Sequence, residues 1–159
     1  MKEVTEETLA MAKSIGSEID EALNAHQAPE NRGRDILDLT PDSFRQRLTG
    51  VPVEELQEEV SQEYAAQNTP LMKSKFSCAA CTTLTYAGIV AAVGATVIVS
   101  GGMSIAAVLA ASGYSVAGLA TIISAMTGVS VGAVTAMLSV SGVTLSVLVI
   151  GLCEKMGKC

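Results

Sequence analysis

Residues 102–145 read GMSIAAVLAASGYSVAGLATIISAMTGVSVGAVTAMLSVSGVTL, and this stretch decides the fold. One four-residue pattern recurs in it: glycine, an apolar residue, serine or threonine, and a second apolar residue. A glycine in the left-handed conformation commonly ends a helix, and a serine or threonine hydroxyl commonly caps the start of the next one. The pattern therefore predicts short helices joined by tight turns. Their predicted N-caps are Ser104, Ser115, Ser130 and Thr144.

Together with residues 83–99, the repeat predicts about five short helices in the second half of the chain. Numerous valine, isoleucine and threonine residues favour strands by intrinsic propensity. The recurring glycine–serine turns and the abundant alanines favour helices, so we predict an all-α fold. Two arrangements stay open: a compact bundle of about five short helices, and a bundle of three helices that span a bilayer, over residues 83–99, 104–126 and 129–153.

Charge divides the chain into two halves. Residues 1–75 hold 15 acidic and 8 basic residues, whereas no charged residue lies between Lys75 and Glu154. A soluble domain normally exposes charged side chains, so we expect the uncharged half to lie in a membrane, against copies of itself, or beneath the acidic half. The predicted division is an acidic leader over residues 1–75 and an apolar, membrane-active helical region over residues 76–159.

The acidic half shows narrow apolar stripes at helical spacing. Thr5 is a good N-cap, a loop is predicted from Asn24 to Arg34, and Thr40 caps a second short helix. Stripes of this width bury little surface alone, so we expect them to dock into the groove of a partner or to form a loosely folded, solubilising cap. The first stripe consists of Ala12, Ile15, Ile19, Ala22 and Leu23, and another helix is predicted from Pro52 to Tyr64.

The junction between the halves is the predicted processing boundary, at Lys73, Lys75 and Phe76. A protease would reach this segment if the two halves were separate units. The pair Gly101–Gly102 also has the form of a leader-cleavage site, but a helix end explains it better.

Four cysteines lie at the two ends of the apolar half. An even number in these places favours one or two cross-links that close the region, and two disulfides allow three pairings. The CxxC spacing also occurs in zinc sites, but such a site usually brings a second close pair or nearby histidines, so we expect no metal and no other cofactor. The cross-link candidates are Cys78, Cys81, Cys153 and Cys159.

The sequence contains no recognisable catalytic constellation. His26 is its only histidine, and residues 76–153 contain neither an acid nor a base. General acid–base or nucleophilic chemistry needs such groups near each other, so we expect a protein that is not an enzyme. The net charge of −6 disfavours nucleic acid as a partner.

Residues 113–138, GYSVAGLATIISAMTGVSVGAVTAML, resemble the helical core of circular, saposin-like bacteriocins. The resemblance implies a removable leader, four or five short helices around an apolar centre, and permeabilisation of target membranes. Members of that family are usually rich in lysine and do not usually need cysteines, whereas the apolar region here keeps only Lys155 and Lys158. Sulfur chemistry would then close the region in place of a head-to-tail backbone bond.

The chain also resembles lanthipeptide and sactipeptide precursors. In those precursors an acidic helical leader docks on an enzyme that joins a cysteine sulfur to a dehydrated serine or threonine, or to a backbone α-carbon. The alternative to such thioether chemistry is that the serine and threonine residues near the CxxC pair are simply polar residues that apolar helices tolerate. The residues concerned are Ser77, Thr82, Thr83 and Thr85.

These features predict the precursor of a membrane-permeabilising antibacterial peptide, made in the cytoplasm, whose mature part is secreted or membrane-associated. We expect its partners to be the target bilayer, maturation or export proteins that recognise the leader, and copies of itself. No apolar signal core precedes Ala25, so export would need a dedicated transporter. The alternative is a small integral membrane protein, holin-like or a complex subunit, with an acidic cytosolic N-terminal region.

Overall fold

The computed structural model describes residues 3–26, 28–31, 36–47, 75–94 and 104–157. Within these ranges the chain forms seven α-helices and no β-strand, which confirms the predicted all-α fold. Short 3₁₀ helices at Pro29–Asn31 and Ile36–Leu39 connect the first two α-helices. The α-helices are α1 (Glu6–His26), α2 (Asp42–Arg47), α3 (Lys75–Val93), α4 (Ile105–Ser112), α5 (Val116–Thr127), α6 (Val131–Leu138) and α7 (Leu145–Lys155).

Helix α1 begins at the predicted cap but ends later than predicted. The N–H of Thr8 donates to Thr5 Oγ1 at 3.1 Å, as an N-cap requires. The helix continues past Asn24 to His26, where the sequence predicts a loop. The Ala25 carbonyl oxygen accepts the Ala28 N–H at 3.1 Å and Asn31 Nδ2 at 2.7 Å, so groups just beyond the helix satisfy an acceptor of its last turn.

The apolar stripe of α1 docks onto the uncharged half of the same chain. Helix α1 lies along both α3 and α5, and its buried residues belong to the same hydrophobic core as theirs. The acidic half therefore contributes directly to the core, and it covers one side of the uncharged helices. The residues that α1 buries are Ala12, Ile15, Gly16, Ile19, Ala22 and Leu23.

Helix α3 is the central helix of the bundle. It begins at Lys75, eight residues before the predicted start, and it ends at Val93, so the CxxC pair lies inside it. From Ala80 to Val90 every residue except Thr83 is buried. A helix surrounded on all sides gains enough from tertiary packing to outweigh the strand preference of its β-branched residues. The remainder of the predicted helix, residues 95–99, lies outside the described residues.

The N-terminal caps of α4, α5, α6 and α7 are the hydroxyl residues of the repeat. At each start, the side-chain oxygen accepts the backbone N–H three residues later, at 3.1 to 3.3 Å. Gly113 and Gly128 follow α4 and α5 with φ of +82° and +78°, in the left-handed conformation that L side chains rarely adopt. The four capping residues are Ser104, Ser115, Ser130 and Thr144.

The end of α6 departs from the repeat. The helix stops at Leu138, and the turn Ser139–Gly142 follows before the next cap. The backbone N–H and the hydroxyl of Ser139 both donate to the Thr135 carbonyl oxygen, at 3.0 and 2.8 Å. A serine in the right-handed conformation thus caps the helix, and Gly142, with φ of +75°, belongs to the following turn instead. The glycine at the first repeat, Gly102, lies outside the described residues.

Of the two arrangements that the sequence leaves open, the structure has the compact bundle. Gly113 interrupts residues 104–126, and the turn at 139–142 interrupts residues 129–153. Among the described residues, no helix combines the length and the apolar character that crossing a membrane requires.

Removal of one cap hydroxyl gives a first test of the repeat. Ser115→Ala should lower the free energy of unfolding by about 1 kcal/mol, since the Gly118 N–H loses its acceptor at the start of α5. Ser124→Ala is the matched control, because the same change in the interior of α5 improves helix propensity. Urea denaturation of both variants measures the difference. Equal losses in the two variants would contradict a capping role for Ser115.

Candidate functional site

A disulfide bond joins the two ends of the apolar half. Cys81 of α3 is bonded to Cys153 of α7 across 72 positions of sequence, and their Cα atoms lie 6.1 Å apart. Both cysteines are 0% exposed. The Thr85 hydroxyl lies 3.8 Å from Cys81 Sγ and 3.7 Å from Cys153 Sγ, which places a weak hydrogen-bonding group against the bond. Helices α4, α5 and α6 therefore lie within a covalently closed loop.

This bond selects among the predicted pairings. It excludes the two in which Cys81 or Cys153 has another partner, and neither sulfur is available to a metal ion or a thioether while the bond exists. The side chain of Cys78 and the whole of Cys159 lie outside the described residues. In the part of the chain that the structure describes, no three histidine, cysteine, aspartate or glutamate side chains cluster as a metal site would require.

The hydroxyl residues after the CxxC pair lie inside the core. Thr82 and Thr85 are buried on α3, together with Ser146 on α7, whereas Thr83 is half-buried. Of these side chains, Thr85 is the one shown against the disulfide. Ser77 is part of α3, but its side chain lies outside the described residues.

The outer helices α4 and α6 present an uncharged surface to solvent. Residues 104–153 contain no charged side chain, and the exposed positions on these two helices are alanine, glycine and valine. Val131 and Val140 are 45% and 59% exposed. A protein surface that faces water usually carries charges, so a surface of this composition suits contact with lipid or with another apolar surface. The exposed apolar residues are Ala106, Ala110 and Ala111 on α4, Val131 and Ala136 on α6, and Val140 in the turn that follows α6.

On the opposite side of the bundle, α1 approaches α3 and α5 very closely. A Cβ atom on Gly16 would overlap the Met126 carbonyl oxygen, so only glycine allows this approach of α1 to α5. A Cβ atom on Gly88 of α3 would lie 2.8 Å from Met126 Sδ and 3.0 Å from Ile19 Cδ1. Met126 thus stands where α1, α3 and α5 meet.

No family is assigned to the chain by similarity. It matches no protein-family model, no curated protein and no solved structure. The resemblance to bacteriocins stays a resemblance of sequence and composition, and the proposed function depends on the charge distribution and geometry of this bundle.

The predicted processing boundary coincides with the start of a helix. Lys75 is the first residue of α3 and Phe76 is the second, while their side chains and Lys73 lie outside the described residues. Cleavage after Lys75 would leave the rest of α3 with the apolar region. The boundary itself stays a prediction.

Sequence reasoning did not identify the three-helix contact at Met126. The one available signal was Gly16, an isolated glycine inside a helical pattern, which commonly has a packing reason because it costs about 1 kcal/mol relative to alanine. The pattern does not say which helix requires the close approach.

Proposed function

We propose that the chain is the precursor of a membrane-permeabilising antibacterial peptide. Its active body is the apolar region, residues 76–159, and its N-terminal region keeps that body away from lipid until it is removed. The observation that carries this proposal is a helical bundle, formed by the described part of a stretch that has no charge from Phe76 to Cys153, and covered on one side by an acidic helix.

The uncharged outer helices supply the first contact with a bilayer. A helix satisfies its own backbone hydrogen bonds, so it can enter lipid without exposing unpaired polar groups. A serine or threonine side chain also caps the N-terminus of each of the helices α4, α5, α6 and α7, where backbone N–H groups lack partners within the helix. Their many alanine and glycine residues then permit close packing between helices where lipid removes the usual hydrophobic driving force.

Electrostatic interactions favour contact between the apolar region and an anionic bilayer only after the N-terminal region has been removed. Residues 1–75 carry a net charge of −7 (15 acidic against 8 basic residues), which opposes approach to an anionic lipid surface. The apolar region carries Glu154, Lys155 and Lys158, a net charge of +1. Removal of the N-terminal region therefore changes the net charge from −6 to +1 and uncovers the faces of α3 and α5 that α1 occupies.

The disulfide supports a destination outside the cytoplasm. Structural disulfides form and persist mainly in oxidising compartments, whereas cytosolic thiols are kept reduced. Both cysteines of the Cys81–Cys153 bond lie in the proposed active body, so removal of the N-terminal region leaves the bond in place. The cross-link therefore fits a product that acts after export.

Trypsin offers a direct test, because the chain has no lysine or arginine from Phe76 to Glu154. Digestion of the folded full-length chain should remove the acidic region and leave residues 76–155 with the disulfide intact. We expect the digest to release a trapped dye from vesicles of phosphatidylcholine and phosphatidylglycerol many times faster than the intact chain does. Intact-mass measurement identifies the surviving body, and chain mixed with inhibited trypsin is the control.

Two results would contradict the proposal. The first is a digest that contains the intact body but releases no more dye than the undigested chain. The second is a producing cell in which the full-length chain is found in the cell membrane while the medium contains no fragment that begins near Phe76.

A further inference from the structure

The helices of the apolar half form two pairs. Helix α3 packs along α7, to which the disulfide binds it, and α5 packs along α6 across the turn at Gly128. Direct contact between the pairs is slight, since α3 approaches α5, and α6 approaches α7, over only a few residues. Contact is therefore more extensive within each pair than between the pairs.

Helix α1 lies against both pairs. Gly16 meets the backbone of Met126 on α5, while Ile15 and Ile19 pack over Gly88 on α3. Its contacts with α3 and with α5 are each more extensive than the direct contacts between those two helices. Much of the packing that joins the pairs thus passes through α1.

The α5–α6 pair is also bounded by a turn at each end; the first contains the buried Tyr114, and the second, Ser139–Gly142, is exposed throughout. Gly113, which is exposed, separates it from α4, and the turn Ser139–Gly142 separates it from α7. The start of α4 stays with α7, because the Ile105 N–H donates to the Val143 carbonyl oxygen at 3.0 Å. Short glycine-containing turns of this kind absorb the backbone rotation of a hinge.

We propose that α1 is a strap that holds the α5–α6 pair against the disulfide-linked α3–α7 pair. When α1 leaves, the α5–α6 pair rotates about the turns at Gly113 and at residues 139–142, and the apolar faces between the pairs become accessible. The consequence for lipid rests on the proposed function: the faces exposed in this way are those that enter the bilayer. Residues buried on α5 and α7 in the closed state include Leu119, Ile122, Ile123, Leu148 and Val149.

The test loosens α1 in the full-length chain without cutting it. Gly16→Ala places a Cβ atom against backbone that no side-chain rotation can relieve. We expect faster amide hydrogen exchange in α1 and in the α5–α6 pair, with a smaller change in α3 and α7, and a several-fold rise in the fluorescence of a bound apolar dye. Gly132→Ala is the matched control, because a Cβ atom there meets nothing within 4 Å.

A second variant ties the strap down. A Cβ atom on Gly118 would lie 3.2 Å from Val4 Cγ2, so Val4→Cys/Gly118→Cys places two thiols within reach of a disulfide between the start of α1 and α5. Oxidation of this variant should slow exchange in the α5–α6 pair and reverse the effect of Gly16→Ala when the changes are combined. A mild reductant should reduce this engineered disulfide before the native one, because Val4 and Gly118 are half-buried whereas Cys81 and Cys153 are fully buried.

Several results would overturn the proposal. One is a rise of exchange in the α5–α6 pair of Gly16→Ala that does not exceed the rise in α3 and α7, since loss of overall stability alone raises exchange in every helix. Another is no rise at all. If Gly16→Ala does not fold, the tied variant decides alone, and an unchanged exchange rate in α5–α6 after oxidation refutes the strap.

Failure of the strap and failure of the membrane function are distinguishable. Gly16→Ala chains could open as expected and yet leave vesicles of phosphatidylcholine and phosphatidylglycerol intact, both before and after digestion. That result would support the strap and refute the membrane function. Conversely, the tryptic digest could release dye from vesicles while amide exchange in Gly16→Ala stays unchanged. That result would support the membrane function and refute the strap.

Discussion

The double substitution Cys81→Ala/Cys153→Ala should lower the free energy of unfolding by about 4 kcal/mol. A cross-link restricts the unfolded chain more strongly when it closes a longer loop, and the chain-entropy model gives this magnitude for a separation of 72 residues. Both cysteines are also fully buried, so their replacement removes core atoms. Urea denaturation followed by circular dichroism measures the change.

The slope of the urea transition separates these two causes. Loss of the cross-link lets the unfolded chain expand, so the dependence of the unfolding free energy on urea should become steeper. Val149→Ala is the matched control, because it removes buried atoms from α7 without cutting a covalent link. We expect it to lower the midpoint at an unchanged slope. A double variant that behaves in the same way would show that the bond contributes packing alone.

The second large effect is expected at a glycine. Gly16→Ala should lower the free energy of unfolding by about 3 kcal/mol, near the upper end for overpacking, because the new Cβ atom meets three backbone atoms of Met126. Relief requires α1 or α5 to move as a whole. Thermal or urea denaturation of the full-length chain measures the loss.

Gly151→Ala is the informative comparison for this prediction. A Cβ atom there would lie 2.6 Å from Met137 Cε, the far end of a flexible side chain that can turn away. Alanine also improves helix propensity by about 1 kcal/mol, so the stability of this variant should stay close to that of the parent chain. A loss as large as that of Gly16→Ala would show that the backbone contact at Met126 is not the cause.

The features that could be predicted from the sequence are those decided within a few residues. A hydroxyl at Ser115 caps α5 because the N–H of Gly118 is only three positions away, and Gly113 and Gly128 end helices through their own backbone freedom. The end of α6 could not be predicted in this way. There, Ser139 competes for the Thr135 carbonyl oxygen and replaces the expected glycine.

The features that could not be predicted depend on contacts between distant segments. The stripe of α1 predicts docking, but its groove is formed by helices that begin about 60 or more residues later, and periodicity carries no information about partners. The cysteine pairing likewise depends on how α3 and α7 pack, since sequence alone allows three pairings. The burial of α3 from Ala80 to Val90 is likewise a property of the tertiary packing, which the spacing of apolar residues cannot show.

The burial of the disulfide has a consequence for its chemistry. Reduction requires an external thiolate to reach one sulfur directly, so bonds shielded by a packed core exchange slowly. Cys81 and Cys153 are accessible only after the helices around them separate, and a reduced chain no longer holds its 72-residue loop closed. In a reducing medium, the disulfide of a molecule would therefore be reduced to two thiols when that molecule first opens fully. The oxidised fraction of a population then measures how many molecules have never opened.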